Sequence, residues 1–364
     1  MNTDLVVVVN ASKEAADAPL GGIQKAVIAQ LAALRAGGAE VVLLSAARRC
    51  ADAAIAMGCE VHYDPRWHNA VAPLVVPSLV GVLIRIRRRG PVALLHHSGR
   101  TWLWTHVVFA GIPNIAVLHR EVVRPYRFFR RWLALSPGYA DELKAGEGRG
   151  RKLAWAPNCL MSGEPLERTG PLQGQRSPAG SFVMGFVGRA SAGKGLDVLL
   201  QALRGVRERG LDVRLELAGT VDPWVFEAAE RYGVADAVAT LGWFEDMQPF
   251  FARIDCLVLP SEKESFGLVL IEAMEVGLPV IATACNGPRS IVEDGETGFL
   301  VPIGNLDRLI AAIEQLVVSP DLARCFGEKG RERVALRYTP QAASGVLIAA
   351  LGQLGAEFKT LRAG

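Results

Sequence analysis

The feature of this sequence that most constrains its fold is a repeated alternation of short apolar runs with longer segments of helical periodicity. The chain begins with an apolar run over 5–9, a loop containing Gly21 and Gly22, a helical pattern over 23–35 and a second apolar run over 41–44. Strand, loop, helix and strand in this order predict a βαβ unit with parallel strands. Repeated βαβ units predict a doubly wound α/β domain with helices on both faces of the sheet.

The same alternation starts again in the second half of the chain. Further predicted strands cover 92–95, 115–118 and 133–135 in the first half, and 182–187, 213–217, 256–259 and 279–282 in the second. The predicted helices of the second half cover 196–209 and about 267–276. Open parallel sheets bind ligands outside the carboxyl ends of their strands, so we expect two Rossmann-like sheets facing a cleft.

The segment 161–181 separates the two halves, because it is rich in Gly, Pro and Ser. We therefore expect a first domain over 1–160, a linker over 161–181 and a second domain over 182–344. A C-terminal helix over about 345–364 is expected to pack back on the first domain. The 364 residues, half of them hydrophobic, are enough to form two cores of the usual domain size.

The net charge of +3 hides an asymmetry between the two halves. Residues 1–160 carry 20 Lys and Arg against 11 Asp and Glu, whereas the remainder carries 20 against 26. A basic half favours an anionic partner, and charge alone does not choose among nucleic acid, anionic lipid and an acidic substrate. No nucleic-acid recognition motif accompanies the basic residues, so we do not expect nucleic acid as a partner.

Cysteine usage and the chain start both predict a cytoplasmic protein. The six cysteines form neither a C-x-x-C pair nor a Cys/His cluster with zinc spacing, which indicates free thiols in a reducing compartment. The first residues lack the basic segment, long apolar stretch and cleavage site of a signal peptide. No uninterrupted apolar segment has the length of about 20 residues that a transmembrane helix needs.

The stretch 260–301 carries the most informative chemistry. Glu264 lies in the loop that follows a predicted strand, and Glu272 lies eight positions later on the next helix. Phe266 and Gly267 stand where this helix begins, and the free N–H groups and positive dipole end of a helix start attract anions. Glu264 at the edge of the sheet, an anion site at the helix start and Glu272 more than one turn inside the helix predict contacts with different parts of one ligand.

The same stretch resembles the E-x7-E signature of the large retaining glycosyltransferase family with the GT-B fold, the fourth family of the sequence classification. Upstream, FVGRASAGKGLDVLLQAL over 186–203 is similar to the family's phosphate-binding segment, and Arg189 and Lys194 stand at its basic pair. The turn GLPVIAT falls in the family's order, as do weaker matches in the first half. The resemblance implies a retaining transferase that moves a sugar from a nucleotide diphosphate to an acceptor.

The resemblance also assigns roles to the residues around the two glutamates. It implies that Glu264 binds hydroxyl groups of the donor sugar and that Glu272 binds the ribose of the nucleotide. Phe266, Gly267 and Leu268 belong to the donor site, with the N–H groups of Gly267 and Leu268 holding phosphate or sugar oxygens. Ser290, by contrast, stands where the family carries a carboxylate.

Arg189 and Lys194 are expected to stabilise the negative charge that develops on the departing diphosphate. The sequence shows no D-x-D motif in a loop, so we expect fixed cations in place of a metal ion and no cofactor besides the nucleotide-sugar substrate. No residue stands out as the nucleophile of a double displacement. Front-side attack is favoured because it asks only for positioning and charge stabilisation.

In the first half, the resemblance implies further donor contacts. Gly21 and Gly22 would let the backbone approach the diphosphate without a Cβ atom in the way. His97 and His119 would contact the donor sugar as further members of the catalytic set, and a shift in local register would bring in His96 instead. No G-x-G-x-x-G follows the first strand, which argues against a dehydrogenase.

The acceptor is expected to be a glycan or glycolipid, such as a lipid-linked or cell-surface precursor of polysaccharide or lipopolysaccharide. Two basic stretches indicate an anionic membrane surface as a partner: one begins at Arg85 and ends at Arg89, and the other begins at Arg124 and ends at Trp132. The protein would then lie peripherally on the inner face of the cytoplasmic membrane. Alternatively, the second stretch is a helix that packs its aromatic side chains inward.

Two other functions stay open from the sequence. A GT-B nucleotide-sugar epimerase would share the fold, although it needs acid–base residues placed for elimination. A non-catalytic subunit would bind a nucleotide sugar without turnover, although the charged set in 186–203 and 260–301 is intact.

Overall fold

The strands and helices of the chain form two parallel sheets, one in each of two structural units. The computed structural model describes residues 5–10, 20–69, 76–89, 93–97, 102–119, 124–162, 180–191 and 193–356. One unit comprises 1–163 together with 337–364, and the other comprises 164–336. Both sheets are doubly wound, with all described strand pairs parallel, and the predicted fold class is confirmed.

The first unit contains a seven-stranded sheet in the order β3-β2-β1-β4-β5-β6-β7. Its strands are β1 (Leu5–Asn10), β2 (Glu40–Ser45), β3 (Glu60–Tyr63), β4 (Ala93–His96), β5 (Asn114–Leu118), β6 (Arg131–Ala134) and β7 (Lys152–Trp155). Its helices before the second unit are α1 (Gly22–Ala36), α2 (Arg48–Ala56), α3 (Val76–Arg87), α4 (Trp102–Val108) and α5 (Pro137–Ala145).

The second unit contains a six-stranded sheet in the order β10-β9-β8-β11-β12-β13. Its strands are β8 (Phe182–Val187), β9 (Val213–Ala218), β10 (Val238–Gly242), β11 (Cys256–Leu259), β12 (Val280–Thr283) and β13 (Gly298–Val301). Its helices are α6 (Leu196–Glu208), α7 (Trp224–Arg231), α8 (Gln248–Phe251), α9 (Leu268–Glu275), α10 (Pro288–Ile291), α11 (Leu306–Val318) and α12 (Pro320–Arg337). The last helix, α13 (Pro340–Gln353), follows and packs on α1 in the first unit.

Central strands of both sheets are buried on both faces, which explains their continuous apolar sequence. Every residue of β4, β5, β11 and β12 is buried. A fully buried valine or leucine side chain contributes roughly 1.5–3 kcal/mol, so these strands supply much of the hydrophobic stabilisation of each unit. The strong apolar runs that predicted these strands from the sequence therefore coincide with the centre of each sheet.

The strands that the sequence analysis did not predict include those at three sheet edges, β3, β7 and β10. Each has several exposed residues, because an edge strand is covered on fewer sides than a central one. Their sequences accordingly lack an apolar run. Residues 337–364 belong to the first unit, the unit on which the C-terminal helix was expected to pack. Most of the predicted linker, 163–179, lies outside the described residues.

The stretch that follows Arg124 packs most of its aromatic side chains inward, as the second alternative predicted, but its secondary structure differs from that prediction. It forms a short 3-10 helix, Arg124–Phe128, and then strand β6, so it is not an α-helix. Tyr126, Phe129 and Trp132 are buried in a core cluster with Tyr139. Trp132 forms the centre of this cluster because β6 is an interior strand between β5 and β7.

His96, at the end of β4, is a buried polar group in this core. Its Nε2 lies 3.0 Å from Asn114 Oδ1, and its ring meets Phe129 edge-on at 4.8 Å. Because Asn114 Oδ1 only accepts, Nε2 carries the proton of a neutral imidazole. Burial lowers the pKa of His96 from 6.5 to about 3, against the opposing effect of the Asn114 hydrogen bond.

We expect the free energy of unfolding to fall as the pH drops from neutral towards about 4. His96 takes a proton near pH 6.5 in the unfolded chain but stays neutral in the folded unit until about pH 3, so the unfolded state binds more protons between these values. This residue alone contributes a slope of about 1.4 kcal/mol per pH unit. Urea unfolding followed by tryptophan fluorescence at several pH values measures the slope.

The matched variant is His96→Gln, whose amide can still donate to Asn114 but does not titrate in this range. Its free energy of unfolding is expected to fall less steeply with decreasing pH than that of the native chain, by about 1.4 kcal/mol per pH unit. Parallel curves would show that His96 is not held neutral in the folded unit.

Candidate functional site

The strand order of the second unit reverses between β8 and β11. From β8 the chain proceeds outwards to β9 and β10, and then crosses back so that β11 lies on the other side of β8. The loops that leave the carboxyl ends of these two strands, 188–195 and 260–267, begin side by side and lead to opposite faces. Open parallel sheets bind ligands at such a topological switch point.

An ion pair joins the two loops. Lys194 Nζ lies 2.8 Å from Glu264 Oε2, and each side chain is 21% exposed. A backbone hydrogen bond from Glu262 N–H to Gly193 O, 2.9 Å long, connects the same loops. Two residues that the sequence analysis assigned to the donor site, 70 positions apart, are therefore in contact at the switch point.

Gly195 makes this close approach of the two loops possible. It precedes α6 with a φ of +72°, and a Cβ atom built on it would lie 1.9 Å from Pro260 O at the end of β11. Any side chain at this position would push the Lys194 loop away from the Glu264 loop. The sequence does not show why a glycine is needed at this position, because Pro260, which a side chain here would overlap, is distant along the chain.

The start of α9 follows Glu264 by a few residues along the chain. Gly267 precedes the helix with a φ of +102°, and Leu268 is its first residue, so the Leu268 N–H has no partner within the helix. Phe266 is buried, with its side chain in the core. A contact between Phe266 and a ligand would therefore come from its backbone.

The remaining charged residues of the predicted site lie on the same two segments. Glu272 is half-buried in the second turn of α9. Arg189 is exposed in the loop after β8, where its carbonyl accepts a hydrogen bond from Ser191 N–H. Arg189 thus lies in the loop of Lys194 with its guanidinium accessible to an anion.

A third loop, which follows β12, supports the Glu264 loop. Gly287 N–H donates to Glu264 O at 2.8 Å, and a Cβ atom on Gly287 would lie 2.2 Å from Phe266 O. Ser290 Oγ donates to Gly287 O at 2.6 Å, so this side chain stabilises the turn that begins α10. The sequence analysis noted Ser290 but missed Gly287, because only the tertiary contact shows why a glycine is needed.

Cys285, in the same loop, has its thiol protonated. Its Sγ lies 3.6 Å from Ser261 O and 3.9 Å from Thr283 Oγ1. Burial raises the pKa of the Cys285 thiol, and Glu264 raises it further. The thiol is accordingly a packing group beside the site and a poor nucleophile.

The first unit has its own switch point, between β1 and β4. Gly21 and Gly22 lie at the start of α1, which follows β1, and His97 directly follows β4. Gly22 is exposed, and a Cβ atom on it would meet no atom within 4 Å. His119 follows the neighbouring strand β5, so all four predicted residues lie at the carboxyl edge of the sheet.

His97 and His119 form a pair. His97 Nδ1 lies 2.8 Å from His119 Nε2, while Tyr126 Oη donates to His97 O at 2.9 Å. His97 is 2% exposed, and its Nε2 has no hydrogen-bond partner among the described residues. Burial and the neighbouring rings of His119 and His96 hold the pKa of His97 well below its usual value, so its imidazole is neutral.

Other features bear on the predicted partners. Among the described residues, no group of three His, Cys, Asp or Glu side chains could hold a metal ion. Within the same ranges no helix combines the length and apolar character needed to cross a membrane. The predicted aromatic membrane anchor is largely wrong in its residues: Tyr126, Phe129 and Trp132 are buried, and only Phe128 is exposed, at 57%.

Residues 172–333 match the family model described as glycosyl transferases group 1. This range contains both loops of the switch point, including Lys194 and Glu264. The second unit is therefore similar to this family over most of its length.

Curated relatives include a lipopolysaccharide core biosynthesis glycosyltransferase of Rhizobium meliloti, 32% identical over 46% of this chain and 48% of that protein. A phosphatidyl-myo-inositol mannosyltransferase of Mycobacterium leprae is 30% identical over 71% of this chain and 66% of its own length. The chain spans about half the length of the first curated relatives that it matches.

Solved structures resemble the whole chain. Anabaena HepE in complex with UDP-glucose superposes with a TM-score of 0.75 at 19% identity, covering 96% of this chain and 99% of that one. Sucrose-phosphate synthase from Thermosynechococcus elongatus gives a TM-score of 0.74 at 21% identity, covering 96% and 99%. The likeness at this level of identity shows the fold, which is that of GT-B glycosyltransferases.

We expect Gly195→Ala to destabilise the second unit more than Gly193→Ala does. Both glycines have a positive φ, so each substitution carries the cost of about 1 kcal/mol that alanine has in this region. A Cβ atom on Gly193 meets no atom within 4 Å, whereas one on Gly195 overlaps the Pro260 carbonyl. The additional loss is expected to be about 1–3 kcal/mol.

Urea unfolding of the two variants measures this difference. Equal losses would show that the loops are not as close at Gly195 as the structure describes.

Proposed function

We propose that this chain, which matches the glycosyl transferases group 1 family over residues 172–333, transfers a sugar from a nucleotide diphosphate to an acceptor. The observation that supports this proposal most directly is the Lys194–Glu264 contact at the switch point of the second unit. A cation and a carboxylate side by side match the two ends of a sugar diphosphate. The phosphate oxygens attract the cation, and the sugar hydroxyls donate hydrogen bonds to the carboxylate. The names of the relatives, which include polysaccharide and lipopolysaccharide transferases, support the same activity.

Lys194 and Arg189 are proposed to bind the diphosphate. Negative charge increases on this group as the sugar leaves, so fixed cations lower the barrier by stabilising the transition state more than the ground state. In the structure Lys194 pairs with Glu264; a bound diphosphate would compete for the ammonium group and leave Glu264 to accept hydrogen bonds from sugar hydroxyls. The two roles are compatible because each partner is partly accessible to solvent.

The other predicted contacts remain part of the same proposal. Glu272 is assigned to the ribose, and the N–H groups of Gly267 and Leu268 are assigned to phosphate or sugar oxygens at the start of α9. Those three groups lie on one segment of the second unit, immediately after Glu264.

In the first unit, Gly21 and Gly22 are assigned to the diphosphate, and His97 and His119 to the donor sugar. The start of α1 offers free N–H groups, and Gly22 has no Cβ atom to keep an anion away. The neutral imidazole of His97 can donate or accept a hydrogen bond without bringing a charge into a buried site.

We propose that the transfer retains the anomeric configuration and uses no metal ion. The acceptor oxygen forms a bond to the anomeric carbon on the face from which the diphosphate leaves. The electron pair of the breaking carbon–oxygen bond goes to the diphosphate, and the diphosphate oxygen takes the proton of the acceptor hydroxyl. The protein supplies positioning and charge, and the groups proposed for these roles lie on the two loops of the switch point.

The proposed acceptor is a glycan or glycolipid at an anionic membrane surface. The exposed residues Arg85, Arg88, Phe128 and Arg130 of the first unit would face this surface. Arg89 is not among them, because it pairs with Glu40 and Glu60. Basic side chains near an anionic bilayer each contribute about 1 kcal/mol of attraction.

We expect Glu264→Gln and Lys194→Ala each to lower kcat/KM for sugar transfer by about 10²–10³-fold, the usual loss when one charge-stabilising group is removed. Transfer or hydrolysis is measured with a panel of nucleotide sugars. Glu262→Gln is the matched control, since Glu262 lies in the same loop with an exposed side chain. Activity that survives both site substitutions would overturn the assignment of the site.

We expect the chain to float with vesicles that contain about 30% anionic lipid and to stay at the bottom with neutral vesicles. Arg85→Glu combined with Arg88→Glu should abolish flotation, because the charge reversal turns attraction into repulsion. Arg149→Glu, another exposed arginine of the first unit, is the control. Native protein that remains at the bottom with anionic vesicles would end the membrane proposal.

A further inference from the structure

A cavity opens at the edge of the first sheet that faces away from its switch point. It is lined by the end of α4, the turn that leads into β5 and the turn that leads into β6. All three segments lie at the amino ends of strands, whereas His97 and Gly21 lie at carboxyl ends. The five residues of β5 separate the two edges by roughly 13 Å, at about 3.3 Å per residue.

The cavity has a basic wall. Arg130 and Arg131 line it, together with His106, and no acidic side chain is among its described lining residues. Arg130 is exposed and Arg131 is half-buried. The arginine pair therefore gives the cavity a positive charge that its own lining does not compensate.

Arg131 lines the cavity, and no described protein group accepts a hydrogen bond from its Nε, which is buried. A guanidinium has five N–H donors in all. Because Nε is closed off from solvent, an oxyanion in the cavity would be bound by the terminal N–H groups of this guanidinium.

Apart from Asn114, the other lining residues have no polar side chain. Phe109 and Ile112 lie inside, and Phe128, 57% exposed, also lines the cavity. The volume is about 210 Å³, below the range of roughly 300–1,000 Å³ that is usual for nucleotide- or drug-sized ligands. The cavity thus fits a small anionic group with an apolar substituent leaving past Phe128.

We propose that this amino-edge cavity binds the phosphate of a phosphate ester, with Arg130 and Arg131 holding the phosphate and Phe128 covering its apolar substituent. Arginine forms paired hydrogen bonds to phosphate oxygens, and its geometry favours phosphate over a spherical anion. Such an ester is either a lipid headgroup or a soluble phosphate ester. The site lies outside both switch points, so it does not depend on the proposed transfer reaction.

The test is calorimetric titration of the full chain with two probes, inorganic phosphate and dihexanoyl phosphatidic acid below its micelle concentration. We expect Arg130→Gln and Arg131→Gln each to weaken binding of the lipid probe at least tenfold, as loss of a hydrogen bond to a charged group does. Arg130 is exposed, so its variant keeps the test valid even if the Arg131 substitution disturbs β6. Arg149→Gln, an exposed arginine outside both the cavity lining and the proposed membrane surface, should bind as the native chain does.

Phe128→Ala distinguishes the two sources of the phosphate. A lipid headgroup predicts that this variant loses affinity for dihexanoyl phosphatidic acid and not for inorganic phosphate. A soluble ester predicts arginine-dependent binding of both probes with no effect of Phe128→Ala. Either result supports the phosphate site.

The arginine-dependent binding should be the same in a Lys194→Ala chain, which separates it from phosphate at the proposed donor site. Binding that both arginine variants retain in full, or no binding of either probe, would overturn the proposal.

Discussion

Parallel strands joined by helical crossovers bring every loop that follows a strand to the same edge of the sheet. In the second unit this constraint places the loop after β8 beside the loop after β11, although β9 and β10 lie between them in sequence. Lys194 and Glu264 reach ion-pair distance, 2.8 Å, for that reason. Gly195 permits this approach because a Cβ atom there would overlap the backbone of Pro260, and Gly287 likewise permits the loop after β12 to approach Phe266.

The first unit uses the two edges of its sheet differently. Its carboxyl edge carries Gly22 and the His97–His119 pair, in which the imidazole of His97 is neutral. Its amino edge carries an arginine-lined cavity with an unused buried donor on Arg131. Strands β4, β5 and β6 separate the two edges, so ligands at one edge would not share contacts with the other.

Much of the fold was predictable because its central strands are apolar throughout. Runs such as 5–9 and 256–259 identify buried parallel strands directly, and the helices between them show clear periodicity. Edge strands β3, β7 and β10 have exposed residues and gave no comparable signal. The aromatic stretch before β6 misled the sequence analysis, since a run of arginine and aromatic residues has the same composition whether its rings face lipid or a protein core.

The sequence by itself determined that the chain forms two doubly wound α/β halves, and that Lys194 and Glu264 belong to one candidate site. These conclusions depend on local periodicity and on a motif with fixed spacing, both of which are visible along the chain. Only the tertiary structure decided that the two side chains touch, that Phe129 and Trp132 are core residues, and that Arg131 has a buried N–H without an acceptor. Contacts between distant segments depend on strand order, and no local pattern in the sequence encodes them.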